Sequence, residues 1–222
     1  YLHGGGYAST ASLGHALLID DLVRRTGARF VVPLPPLAPH HTWVEAHRLV
    51  VDLCLRTFSE NEGGRVVLMG DSSGGGLAVV IALSLARLGA AQPDELILLS
   101  PWVDITHTNP DIADYVDADP LMSPEPLTVM GEAWAGDTPT SDWHLSPING
   151  DLSALRQVRV TTFVGSREIF LPDDSLLHDR LVEAGVDSTL HIGHNLNHVY
   201  PMIPSPEGRK ARREIARIIS GA

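Results

Sequence analysis

The chain has 222 residues, 44% hydrophobic and 19% charged, a composition that suits one soluble domain large enough to bury a substantial core. Its formal net charge of −11 argues against nucleic acid as a partner, because phosphate contacts are made by Lys and Arg, and no stretch approaches the roughly 20 apolar residues of a membrane span. The one cysteine, Cys54, allows no intrachain disulfide and is compatible with a reducing, cytoplasmic setting.

The chain opens Tyr1-Leu2-His3-Gly4 without an initiator Met and reads as already inside a strand, so the expectation is a domain that is N-terminally incomplete. A helical pattern follows over residues 12–25, then a short apolar run at 30–33 that reads as a strand, then a helix over 43–58. A strand at 66–69, a helix at 75–88 and a strand at 96–99 come next. After a long break, a strand at 160–164, a helix at 173–184, a weaker strand at 188–192 and a helix at 206–219 complete the pattern. Gly27, Gly89 and Gly185 stand where helices should stop. Alternating strands and helices imply one α/β domain over residues 1–222, a mainly parallel sheet flanked by helices. Residues 101–151 break the rhythm with many prolines, acidic residues and Trp102, Trp134 and Trp143. They read as a lid-like excursion between two strands, the kind of segment that shapes a site.

The chemistry concentrates at Met69-Gly70-Asp71-Ser72-Ser73-Gly74-Gly75-Gly76. A serine between glycines, after a strand and before a helix, is a nucleophile elbow, because the sharp turn leaves no room for side chains on either side. The competing reading is a phosphate loop, but no Lys follows the glycines as such a loop requires. Acyl transfer from Ser72 also needs oxyanion donors, a base and an orienting acid. His3-Gly4-Gly5-Gly6 supplies backbone N–H groups unshielded by side chains; Gly5 and Gly6 are the preferred donors, with Gly4 shaping the turn and His3 holding the loop. The N–H of Ser73, at the start of the helix, is the third donor, reinforced by the helix dipole. For the acid, Glu168 lies on the loop after the strand at 160–164; Asp173 and Asp174 are rivals, though both suit the N-terminus of a helix. For the base, His191, His194 and His198 crowd the last strand and the loop after it. His15, His40, His41, His47, His107, His144 and His178 show no metal-ligand spacing, so no zinc site is expected.

Together these segments resemble the hormone-sensitive-lipase-like (GDXG) esterase/lipase branch of the α/β-hydrolases. The resemblance runs through His3-Gly4-Gly5-Gly6, Gly70-Asp71-Ser72-Ser73-Gly74-Gly75, Ser100-Pro101-Trp102-Val103-Asp104, Asp119-Pro120-Leu121, Gly165-Ser166-Arg167-Glu168 and His198-Val199-Tyr200-Pro201. It implies an α/β-hydrolase fold and cofactor-free hydrolysis of carboxylic esters with short to medium acyl chains. It carries the base onto His198 and the acid onto Glu168, although many members have Asp there. Ser73 stands where the family often has Ala, and Leu34-Pro35-Pro36-Leu37-Ala38-Pro39-His40 departs from the family's Y-R-L-A-P-E segment. Members also carry an N-terminal cap and further strands before the HGGG loop, which leaves the strand expected at 30–33 as a sheet edge. Two alternatives stay open: an amide or formamide hydrolase using the same residues, and a non-catalytic ligand-binding homologue of the gibberellin-receptor kind, which lacks the histidine kept here as His198. The expected partner is a small-molecule ester, with a homodimer compatible.

Overall fold

Strand sequences such as Glu95–Leu99, apolar at every position but the first, need cover on both faces, and parallel sheets provide it. A computed structural model describes residues 1–61 and 63–221. Its sheet is built from β1 (Val67–Asp71), β2 (Glu95–Leu99), β3 (Arg159–Gly165) and β4 (Ser188–Gly193), in the order β1-β2-β3-β4 with every pair parallel. Side chains alternate between two cores. Leu68, Leu96, Leu98 and Val160 point into one, and Met69, Ile97, Leu99 and Phe163 into the other.

The first core is closed by α2 (Trp43–Glu60), α3 (Ser72–Arg87) and α5 (Leu171–Glu183), the second by α1 (Leu13–Thr26) and α6 (Pro206–Ser220). The helix ends follow from local chemistry. Gly27 caps α1 in the left-handed conformation, where a Cβ would be strained. Ser205 accepts the N–H of Gly208 ahead of α6, with Pro206 in the first position, where its missing N–H costs nothing. α3 is buried on all sides through Leu85, and Gly76 lets it press against the main chain at Trp102, where a Cβ would collide with the carbonyl oxygen.

Two expectations need correction. Residues 30–33 form no strand. Their tie to the first residues is one bond, from the Tyr1 nitrogen to the Val31 carbonyl, and Leu2 makes only an isolated bridge to Gly70. A β-favouring run without a partner ladder stays irregular, and β1 is therefore the edge of the described sheet. The second is the start of α3, which begins at Ser72, three residues before the expected start at Gly75. Within the excursion at 101–151 lies a helix, α4 (Pro124–Ala135). Ser123 precedes it and Pro124 occupies its first turn, where a proline is tolerated because its missing N–H has no intrahelical partner.

The excursion is pinned down by aromatic rings. Tyr7 stacks on Trp134 at 4.4 Å and on Trp102 at 5.6 Å between centroids. On the far side His144 stacks on Trp43 at 4.3 Å, the Trp43 indole N–H donates to Thr138, and Arg87 lies over Trp143. Among the described residues no helix is long and apolar enough to cross a membrane.

Gly76→Ala should lower stability by about 1–3 kcal/mol through overpacking, read from urea unfolding; an unchanged midpoint would mean that α3 can slide away from Trp102.

Candidate active site

Parallel strands end at one edge of the sheet, and side chains on the loops leaving that edge can converge. The register aligns Asp71 with Leu99, Leu99 with Phe163, and Gly165 with Gly193. Ser72 follows β1, Ser100 follows β2, Glu168 lies three residues beyond β3, and His198 five beyond β4.

Ser72 has φ of 51° and is 7% exposed. A left-handed serine at a strand–helix junction is strained, and the glycines make it feasible. A Cβ on Gly70 would strike the Gly74 carbonyl, and one on Gly74 the Leu2 carbonyl. Among the described residues Ser72 Oγ makes no hydrogen bond to protein, so its contact with His198 is not closed in this structure.

Glu168 is fully buried. Its Oε2 lies 2.6 Å from His198 Nδ1. Its Oε1 accepts from Ser100 Oγ at 2.8 Å and from the Gly165 N–H. Because Glu168 accepts, the proton of the neutral imidazole sits on Nδ1 and the lone pair on Nε2. The backbone beside the imidazole is held in the same way, since the Val199 N–H donates to Ser100 Oγ at 2.9 Å. Ser100 and Val199 both have positive φ, 45° and 52°. No local pattern assigns Ser100 a role. Its only signal is its place directly after a strand, in a segment shared with the family resembled.

The rivals lie elsewhere. Asp173 and Asp174 occupy the first turn of α5; Asp173 accepts from Asn109, and among the described residues neither Asp174 oxygen has a hydrogen-bond partner. His191 lies in β4, stacked on Phe163 at 4.6 Å, and the histidine that pairs with Glu168 is His198, not His194.

The HGGG loop docks on the elbow. Gly4 N–H donates to Asp71 Oδ1 at 2.9 Å, and a Cβ on Gly4 would collide with the Asp71 carboxylate. His3 Nδ1 contacts the Gly4 carbonyl at 2.8 Å. Gly5 and Gly6 have φ of 123° and 61°, and among the described residues their N–H groups make no hydrogen bond. Ser73 N–H lies in the first turn of α3, where helical N–H groups lack acceptors. Ser73 Oγ accepts the Tyr7 N–H at 3.2 Å, so the serine standing where the family often has Ala ties the loop to the elbow. From the excursion, Met130 reaches the loop: a Cβ on Gly6 would sit 2.5 Å from its Sδ. Asp119 accepts the Ile169 N–H at 3.0 Å, fastening the excursion beside Glu168. Among the described residues no group of three or more His, Cys, Asp or Glu could hold a metal ion.

A family model described as the alpha/beta hydrolase fold matches residues 1–202, and the chain belongs to that family. An esterase of Acinetobacter venetianus is 28% identical over 220 residues, covering 97% of this chain and 72% of the relative. An acetyl-hydrolase of Streptomyces hygroscopicus is 30% identical over 222 residues, covering 95% and 71%. A hormone-sensitive lipase from a metagenome library superposes with a TM-score of 0.91 at 32% identity, covering 100% of this chain and 75% of that one. An esterase from the bacterial hormone-sensitive lipase family gives 0.93 at 27% identity, with the same coverage.

Burial raises the Asp174 carboxyl well above its ordinary 3.8, and the charges of Glu168 and Asp173 push the same way. Burial also raises Asp173, to about 6, against the hydrogen bond from Asn109. Both groups hold a proton more tightly folded than unfolded. Their contribution to stability is therefore complete below pH 3.8 and is lost as the pH rises through the folded values. Asp174→Asn should raise Tm at pH 8, at about 2–4 °C per kcal/mol gained, with the difference closing near pH 3. Equal melting temperatures at pH 8 would contradict the burial cost assigned to Asp174.

Proposed function

We propose that this chain hydrolyses carboxylic esters of small molecules through an acyl-enzyme on Ser72. The observation that carries the reading is the Glu168–His198 pair at 2.6 Å, set at the same sheet edge as a strained serine beside the unpaired N–H groups of Gly5 and Gly6. His198 Nε2 takes the Ser72 proton as Oγ attacks the ester carbonyl. Glu168 holds the ring and stabilises the imidazolium. The N–H groups of Gly5, Gly6 and Ser73 donate to the carbonyl oxygen as negative charge develops on it, where such donors are worth most. The protonated His198 then delivers its proton to the leaving alcohol, and a water activated by the same ring releases the acid. His3, Gly4 and Asp71 hold the donor loop in place. Esterase and acetyl-hydrolase relatives support ester over amide, and the complete acid–imidazole pair speaks for catalysis over mere binding. The net charge of −11 fits a small-molecule partner and no nucleic acid.

Residues 101–151 act as one wall of the site, with the Met130 side chain packed against Gly6. Met130→Ala should then shift preference toward longer acyl chains, read as the ratio of kcat/KM for p-nitrophenyl octanoate over acetate. An unchanged ratio would remove Met130 from the acyl path.

A fluorophosphonate probe should label the protein at Ser72, located by mass spectrometry, and Ser72→Ala should abolish labelling and cut turnover by about 10⁶-fold. Labelling at another residue, or near-full activity in Ser72→Ala, would overturn the assignment.

A further inference from the structure

A second acid–imidazole pair sits behind the elbow, apart from Glu168 and His198. His15, in the first turn of α1, is 7% exposed. Its Nδ1 receives the Ser12 N–H at 2.7 Å. A backbone N–H can only donate, so Nδ1 carries the lone pair and the ring proton sits on Nε2. Nε2 lies 3.3 Å from both oxygens of Asp71. Asp71 is itself buried, and its Oδ1 also accepts from Gly4 N–H at 2.9 Å and from the Tyr1 hydroxyl at 2.6 Å. A continuous path therefore runs from the first turn of α1, through the Asp71 carboxylate, to the amide that begins the glycine loop.

We propose that His15 is a positioning residue for the oxyanion donors. It rests on the reading of Gly5 and Gly6 as those donors. Asp71 immediately precedes the nucleophile and must turn its carboxylate toward Gly4 for the loop to lie beside Ser72. Tyr1 and Gly4 both bond Oδ1, and neither reaches Oδ2; among the described residues the hydrogen bond to Oδ2 comes from His15 alone. The imidazole thus fixes the rotation of the carboxylate, and with it the direction of the Gly5 and Gly6 N–H groups. Misplacement of a catalytic group by about 1 Å can cost 10²-fold in rate. The oxyanion exists only on the way through the transition state, so the loss should fall on kcat and spare KM.

The test uses His15→Leu, which fills the space without a donor, and His15→Gln, whose amide nitrogen can replace Nε2–H. Each is assayed on p-nitrophenyl acetate beside wild type and Ser72→Ala, with Tm measured for all. His15→Leu should lose about 10- to 100-fold in kcat with KM within about 3-fold, and His15→Gln should regain most of it whatever its Tm. If His15→Leu does not fold, His15→Asn, whose amide is too short to span to Asp71, should show the same kcat loss. Wild-type kcat in His15→Leu, or in its substitute His15→Asn, overturns the inference while a dead Ser72→Ala leaves the nucleophile standing. A kcat loss in His15→Gln equal to that in the donor-less variant, tracking Tm, also overturns it and makes His15 structural. Wild-type activity in Ser72→Ala removes the proposed function and the positioning role together.

Discussion

The site depends on one buried carboxylate. Glu168 has no access to water, and an ionised carboxyl buried without partners is costly by several kcal/mol. It is met by three donors from three places: Ser100 after β2, Gly165 at the end of β3 and His198 beyond β4. Gly165 is local to Glu168, but Ser100 and His198 come from the ends of other strands, so the carboxylate is fully satisfied only when β2, β3 and β4 pair in the observed register. Slipping β3 against β2 would carry Glu168 away from Ser100, and slipping β4 would carry His198 away from Glu168. Sheet register and catalytic geometry are therefore the same constraint, and the left-handed Ser100 and Val199 are where the backbone bends to meet it.

Much of this was legible in the sequence because the signals are local. The strand–glycine–serine–glycine–helix order around Ser72 and the three glycines after His3 each express a steric demand that one stretch of chain satisfies. β2 and β3 were readable as runs buried on both faces. What escaped reading depends on distant partners. Ser100 bonds a residue 68 positions on, and His15 one 56 positions on; neither residue type announces such a bond. Residues 30–33 failed for the complementary reason, since β propensity says nothing of whether a neighbour is there to pair. The helix at Pro124–Ala135 was hidden because proline stops a helix in its interior but is tolerated at its first turn.

The excursion between β2 and β3 is both a wall and a fastener. Met130 brings it against Gly6, Asp119 ties it beside Glu168, and Trp134 presses on Tyr7 directly after the glycine loop. Under the proposed function, substrate-facing surface and donor-holding structure would share one segment. Changes made there to alter the fit of a substrate reach the donors through one packing step.

The left-handed non-glycine residues carry a further consequence. Four of them, Tyr7, Ser72, Ser100 and Val199, belong to the loops that carry or brace the site, and each such backbone costs of order 1–3 kcal/mol. Val199 is β-branched, for which the conformation is least tolerated. The fold bears this cost at the place where precision is needed, drawing on the burial of two cores that Tyr7 and Val199 themselves join. A lineage selected for endurance alone would relax these positions first, and would drift toward a sturdier protein with a blunter site.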